Sequence, residues 1–263
     1  HASGIVITPG PSVDIVPLER PDEYGLFTSS LDYHQCDELG LLKLDILGLD
    51  TLSVIQDFMA LVKHRCGVDI VWEDIQLDDK EVLALFAKGD IVGVFEFQVS
   101  AGMARLAQDV EPDTFGDIVA INALYRPGGM RSGMAQMYVQ RKHGREKTPS
   151  VHPLFDGITA DTYGIIIYQE QIMRMAHSMA GFAMEVVDDL RKTVGKREGL
   201  EKIEQFRAAF VQGCRDGGIN EKISNELFDQ VRHFGSYGFN KSHAVVYSLL
   251  SYWTQWAKCY YPL

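Results

Sequence analysis

Leu41-Leu42-Lys43-Leu44-Asp45-Ile46-Leu47-Gly48 is the stretch on which the fold turns. Its alternation predicts a strand with Lys43, Asp45 and Leu47 on one face and Leu42, Leu44 and Ile46 on the other, ended by Gly48. Upstream, Gly4-Ile5-Val6-Ile7-Thr8 is short, β-branched and stopped by Pro9-Gly10-Pro11, which predicts another strand. Downstream the period changes. Thr51 is placed to cap a helix in which Leu52, Ile55, Met59 and Val62 recur at helical spacing. The sequence therefore predicts an α+β chain that is mostly α, with a β-rich piece over 1–50 and a helical domain over 51–263.

Within the helical part, helices are predicted over 81–88, once or twice over 101–122, and over 169–179 and 188–196. Residues 201–211 put Ile203, Phe206 and Phe210 on one stripe, and 221–232 do the same with Ile223, Leu227 and Val231. His243 opens a long final helix. Residues 124–149, rich in glycine and holding Pro127, predict loop. A hydrophobic share of 46% in 263 residues suffices for one large domain or two modest ones. The most apolar stretch, 244–261, is interrupted by Ser248, Ser251, Thr254, Gln255 and Lys258, so it predicts a buried helix and no membrane span. No signal-peptide pattern is present. Cys36, Cys66, Cys214 and Cys259 are scattered, which fits reduced thiols in a cytoplasmic setting better than a disulfide framework or zinc ribbon. The first residue is His1 and the last are Tyr261-Pro262-Leu263, and the expectation is an excerpt from a longer protein.

The net charge of −11 argues against a simple basic nucleic-acid coat. The charge is uneven, however. Arg126, Arg131, Arg141, Lys142, Arg145 and Lys147 fall within one stretch opposed by Glu146 alone, a surface able to grip phosphates or simply a solvated loop. Arg126 precedes the rigid turn Pro127-Gly128-Gly129 and offers a planar fork for phosphate. Arg191-Lys192-Thr193-Val194-Gly195-Lys196-Arg197 holds four cations in seven residues: either an anion site or a solvated face countered by Glu198 and Glu201. Tyr237-Gly238-Phe239-Asn240-Lys241-Ser242-His243 opens a helix whose first amides attract phosphate, with Ser242 or Asn240 as cap. Gln169-Glu170-Gln171 follows an apolar run and either caps a helix, contacts bases or positions the loop.

An ionised Asp45 among apolar neighbours is costly unless paired or bound to metal. With Lys43 on its face, it reads either as a Mg²⁺ ligand beside a phosphate-binding lysine or as a strand-end salt bridge. Two-metal phosphoryl-transfer sites need several carboxylates around ions about 4 Å apart, commonly from a D-x-D pair. The chain contains no D-x-D, so this site is incomplete.

Taken in order, His1-Ala2-Ser3-Gly4, Leu42 to Gly48, Gly93-Val94-Phe95, Arg126-Pro127-Gly128, Arg141-Lys142-His143-Gly144, Tyr163-Gly164-Ile165 with Tyr168-Gln169-Glu170-Gln171, Gly195-Lys196 and Tyr237 to His243 resemble the bacterial DNA polymerase III alpha subunits, the C-family polymerases. The resemblance implies the C-terminal part of a β-type nucleotidyltransferase palm over 1–50, followed by a helical fingers domain that binds the incoming nucleotide. It implies template-directed transfer of a dNMP from dNTP to a primer 3′-hydroxyl, with two Mg²⁺ ions of which this chain supplies one ligand. Asp45 matches a catalytic carboxylate and Lys43 its phosphate-side lysine. Arg191, Lys192, Lys196, Arg126, Asn240, Lys241, Ser242 and His243 match the nucleotide pocket, and Arg141, Lys142 and Arg145 are expected on DNA. Primer-template DNA, a sliding clamp and other replicase subunits are the implied partners, the last two through regions outside this chain. Three departures stand out. Lys192 replaces a frequent arginine, Gly129 replaces a proline, and Phe95 to Met103 runs one residue long. The alternatives are a non-catalytic nucleotide- or DNA-binding module, an error-prone or phage-encoded paralogue, and a helical interaction domain without a ligand.

Overall fold

The computed structural model describes residues 4–46, 48–195, 200–235 and 238–262. The chain divides into two compact units, His1–Gln56 and Asp57–Leu263.

In the first unit, β1 (Gly4–Ile7) pairs antiparallel with β2 (Leu42–Asp45), in the register Gly4↔Asp45 through Ile7↔Leu42. Directly paired residues share a face, so Val6 and Lys43 lie on one side and Ile5, Ile7, Leu42 and Leu44 on the other. Those four apolar side chains are exposed. Between the strands, α1 (Tyr33–Glu38) starts at a reciprocal cap: Gln35 N–H donates to Asp32 Oδ1 and Asp32 N–H to Gln35 Oε1, each at 2.9 Å. β2 is shorter than the predicted strand, and Leu47 lies outside the described residues.

The division between units falls within α2 (Asp50–Cys66). That helix begins at Asp50, so Thr51 is its second residue and not its cap. Ile55 and Val62 are buried as the spacing predicts, whereas Leu52 is exposed.

The second unit holds two hydrophobic cores. The first gathers α3 (Lys80–Ala87), α4 (Ala101–Val110), α5 (Phe115–Leu124), α7 (Met134–Lys142) and the 20-residue α14 (Lys241–Tyr260). α14 lies along α5 and α3. Tyr252 ties it down by accepting from Asp79 N–H at 3.0 Å and donating to the Gln76 carbonyl at 2.9 Å. The second core gathers α8 (Pro153–Ile158), α9 (Gln169–Ser178), α10 (Met184–Gly195), α11 (Leu200–Glu204), α12 (Arg207–Asp216) and α13 (Glu221–Phe234). Gly213 lets α12 press onto the chain at Ala180, because a Cβ there would sit 1.9 Å from the Ala180 carbonyl oxygen. The predicted helix over 201–211 is two helices, broken at Phe206. The run Ile165-Ile166-Ile167 serves both cores, with Ile165 and Ile167 in the first and Ile166 in the second.

Residues 124–149 are more ordered than a loop. They contain α6 (Pro127–Arg131) and α7. Pro127 takes the first helical position, where its missing N–H costs nothing. Gly129 is buried, and only glycine fits there because a Cβ would meet the Leu124 carbonyl oxygen at 2.4 Å. Gly133, at φ +78°, separates the two helices. These residues read as loop signals, yet they serve close packing and helix starts. Among the described residues, no helix is long and apolar enough to cross a membrane.

Candidate functional site

The start of α14 is built by α9. Asn240 is the cap, its Oδ1 accepting from His243 N–H at 2.8 Å. Glu170, in the first turn of α9, reaches across so that its Oε2 accepts from Lys241 N–H at 2.8 Å. A parallel bridge joins Tyr168 to Phe239, and Gln169 N–H donates to the Phe239 carbonyl at 2.8 Å. Gln171 Oε1 in turn accepts from the amides of Ile167 (2.8 Å) and Tyr168 (2.9 Å). The Lys241 ammonium sits 5.3 Å from the Tyr168 ring centre and 3.8 Å from Asp161 Oδ2. Burial pushes the Tyr168 hydroxyl well above the ordinary tyrosine range, so it stays neutral beneath that cation. This arrangement corrects one expectation: the amides of Lys241 and His243 are taken by Glu170 and Asn240 and do not await a phosphate. It also resolves the role of Glu170, which caps α14 rather than its own helix.

Beside this turn is a cavity of about 360 Å³. Arg126, Phe239 and His243 line it together with Asn122, Tyr125 and Tyr247. The Arg126 guanidinium lies 3.8 Å from the Phe239 ring centre, and its Nε donates to the Ala123 carbonyl at 3.1 Å. His243 stacks on Tyr247, one turn along α14, at 4.1 Å, and meets Phe239 edge-on at 5.4 Å. Asn122 donates to Ser248 Oγ at 2.6 Å, which fixes its amide. Glu96, on the rim, has a backbone φ of +62°, a strained conformation for a non-glycine residue. The structure thus brings Arg126 and His243 into one site. Tyr247 and Asn122 were missed, although Tyr247 follows His243 at i+4, the spacing that stacks side chains on a helix.

The basic stretch behaves differently. Lys142 is only 7% exposed in its side chain and is held by Asp113 Oδ1 at 2.5 Å and Asp117 Oδ2 at 2.9 Å. Asp117, 2% exposed, also accepts from Tyr138 Oη and Thr114 Oγ1, both at 2.8 Å. Burial pulls the Lys142 ammonium down, but the hydrogen bonds to Asp113 and Asp117 outweigh it, so the lysine titrates above its ordinary value. The same bond to Lys142 leads in holding Asp113 below its ordinary value. Burial first, and then the Asp117 charge, push the Tyr138 hydroxyl far up. Arg141 pairs with Glu146 Oε1 at 2.9 Å and donates to the Tyr163 carbonyl at 3.1 Å. The expected phosphate-gripping surface is therefore corrected for Arg141 and Lys142, whose heads turn inward to internal partners. Arg131 and Arg145 are exposed. Asp117 was legible as the last residue of Thr114-Phe115-Gly116-Asp117, a capping box at the start of α5.

On α10, Arg191 and Lys192 share Asp188, at 2.8 and 3.0 Å. Lys192 first and Arg191 second hold the Asp188 carboxyl below its ordinary range. Their counter-charge is thus one turn behind them. Lys196 and Glu198 lie outside the described residues. In the first unit, Lys43 Nζ pairs with Asp45 Oδ1 at 2.8 Å and stands 4.7 Å from the Tyr33 ring centre. Asp45 ends its strand and is 49% exposed in its side chain, so the cost expected for a buried carboxylate does not arise. Among the described residues, no group of three His, Cys, Asp or Glu side chains is placed to hold a metal ion.

Comparison with known proteins divides the chain near residue 50. Residues 51–218 match the bacterial DNA polymerase III alpha subunit finger domain, and residues 1–48 match the bacterial DNA polymerase III alpha NTPase domain. The protein named DNA polymerase III subunit alpha from Aquifex aeolicus is 42% identical over 262 residues, covering 100% of this chain and 22% of the relative. Those of Thermus aquaticus and Bacillus subtilis are 39% and 38% identical, over 100% of this chain and 22% and 23% of their own lengths. The chain therefore spans less than a quarter of the curated relatives it matches. A small open sheet followed by a helical body has the architecture of the end of a nucleotidyltransferase palm leading into fingers. The chain belongs to the bacterial DNA polymerase III alpha subunit family.

Proposed function

We propose that this chain forms the end of the palm and the fingers of a DNA-directed DNA polymerase, which transfers a dNMP from dNTP to a primer 3′-hydroxyl and releases pyrophosphate. The observation that carries the reading is the joining of Arg126 and His243 in one aromatic-lined cavity at the start of α14. Aromatic faces suit a flat base, and cations held at fixed positions suit a triphosphate. Arg126, Asn240, Lys241, Ser242, His243, Arg191, Lys192 and Lys196 are assigned to the nucleotide. The exposed Arg145 is assigned to primer-template DNA through salt-sensitive backbone contacts. Arg141 and Lys142 act behind it by holding the end of α7. The sliding clamp and other replicase subunits would bind elsewhere in the longer protein, in the cytoplasm.

Mg²⁺ would supply nucleophile activation and charge neutralisation in such a reaction. Asp45 offers one carboxylate for it, and Lys43 a neighbouring cation. One carboxylate does not make a two-metal site, and the described residues hold no such cluster. The same observation favours a second reading for the chain in isolation, a nucleotide-binding module without catalysis.

In the full-length protein, Asp45→Asn is expected to abolish primer extension while leaving DNA affinity within about twofold. Near-normal turnover would remove Asp45 from catalysis. Arg191→Ala is expected to raise the KM for dNTP by about tenfold, equivalent to about 1.4 kcal/mol, with little change in primer-template affinity. The reverse would move Arg191 onto DNA.

A further inference from the structure

Four consecutive residues, Tyr168-Gln169-Glu170-Gln171, each spend a hydrogen bond or a ring on the turn that opens α14 or on holding themselves beneath it. Glu170 is the one that accepts a hydrogen bond from Lys241. Its carboxylate stands in the first turn of α9 and at the N-terminal amide of α14, so the positive ends of two helices meet on one anion. Lys241 is then fixed twice: its backbone by Glu170, and its ammonium between the Tyr168 ring and Asp161. Nothing in α14 alone would aim that side chain, since a lysine at a helix N-terminus is repelled by the dipole and tends to turn away.

We infer that Glu170 is a positioning residue for nucleotide binding: it clamps the Lys241 backbone so that the ammonium faces the triphosphate, without touching the nucleotide itself. The inference rests on the assignment of Lys241 to the nucleotide, and the two are separable. A carboxylate is suited to the role because an ionised acceptor makes a shorter and stronger bond to N–H than a neutral one. Gln keeps an acceptor at the same reach and loses only the charge.

The test is a double-mutant cycle in the full-length protein, reading the KM for dNTP, kcat and thermal midpoint of Glu170→Ala, Glu170→Gln, Lys241→Met and Glu170→Ala/Lys241→Met. Glu170→Ala is expected to raise the KM about tenfold with kcat changed less than threefold, and Glu170→Gln is expected to recover most of the loss. In the Lys241→Met background, Glu170→Ala is expected to add less than twofold, because no ammonium is left for Glu170 to position. A full tenfold effect of Glu170→Ala in that background would overturn the inference. So would a lowered thermal midpoint with an unchanged KM. If Lys241→Met itself leaves the KM unchanged, the assignment of Lys241 fails first, and the role of Glu170 with it. If Lys241→Met raises the KM and Glu170→Ala does not, only the role of Glu170 fails.

Discussion

Lys142 and Lys241 are both lysines at helix ends beside carboxylates, and they have opposite lives. Lys142 is in the last turn of α7, where the helix dipole favours a cation, and its side chain is 7% exposed between Asp113 and Asp117. Lys241 is the first residue of α14, where the dipole disfavours a cation, and its side chain is 44% exposed over an aromatic ring. The first location is what stability selects. The second costs about 0.3–1 kcal/mol in the dipole alone, against the Tyr168 ring and one exposed carboxylate, which accords with the proposed role of Lys241 on the nucleotide. Position relative to the dipole, together with burial, separates the two cations when the sequence shows only two basic runs.

The comparison breaks most readily at Lys142. Replacing it with Met leaves Asp117 buried without its cation, and a loss of about 3–5 kcal/mol in unfolding free energy is expected by denaturant titration. The pH dependence should follow. Asp113 titrates below 3.8, so its contribution is present above that value and lost as acid takes the folded group through its lower pKa. Lys142 titrates above 10.5, so its contribution is present below that value and lost as alkali takes it through the higher one. Wild type is expected to weaken below pH 4 and above pH 10.5, and Lys142→Met to be flatter at both ends. A variant with the same acid and alkaline limbs as wild type would mean that other groups govern them.

A smaller effect is expected at Arg126. Arg126→Ala removes the stack on Phe239, worth about 0.5–2 kcal/mol of stability, and should raise the KM for dNTP several-fold. A loss of stability without a change in KM would make the cavity a packing feature. The smallest stability effect belongs to Lys241→Met, expected within about 0.5 kcal/mol of wild type because an unfavourable dipole contact is relieved as the Tyr168 contact is lost. Loss of several kcal/mol there would erase the contrast with Lys142.

Much of this was legible in the sequence. The alternation in 41–47 places Lys43 and Asp45 on one face, and they pair there. Asn240 was a candidate cap of the last helix and is the cap. Illegible were contacts made across long separations. The partners of Lys142 lie 25 and 29 residues away on other elements, so the local count saw only Glu146 as opposition. The glycines of 124–149 misled for a related reason: Gly129 answers to the Leu124 carbonyl pressed against it, a tertiary demand that looks like a turn signal in one dimension. The cavity was half legible, because Arg126 and His243 carry obvious chemistry whereas Asn122 and Tyr247 acquire theirs only from placement.

The isoleucine run between the two cores has a thermodynamic consequence. Ile166 belongs to one core and its neighbours on either side to the other. Loosening either core displaces a backbone whose adjacent side chain is anchored in the other, which couples the opening of the two. The two halves of the helical body are therefore expected to open together, and the chain beneath Lys241 to owe its rigidity to both.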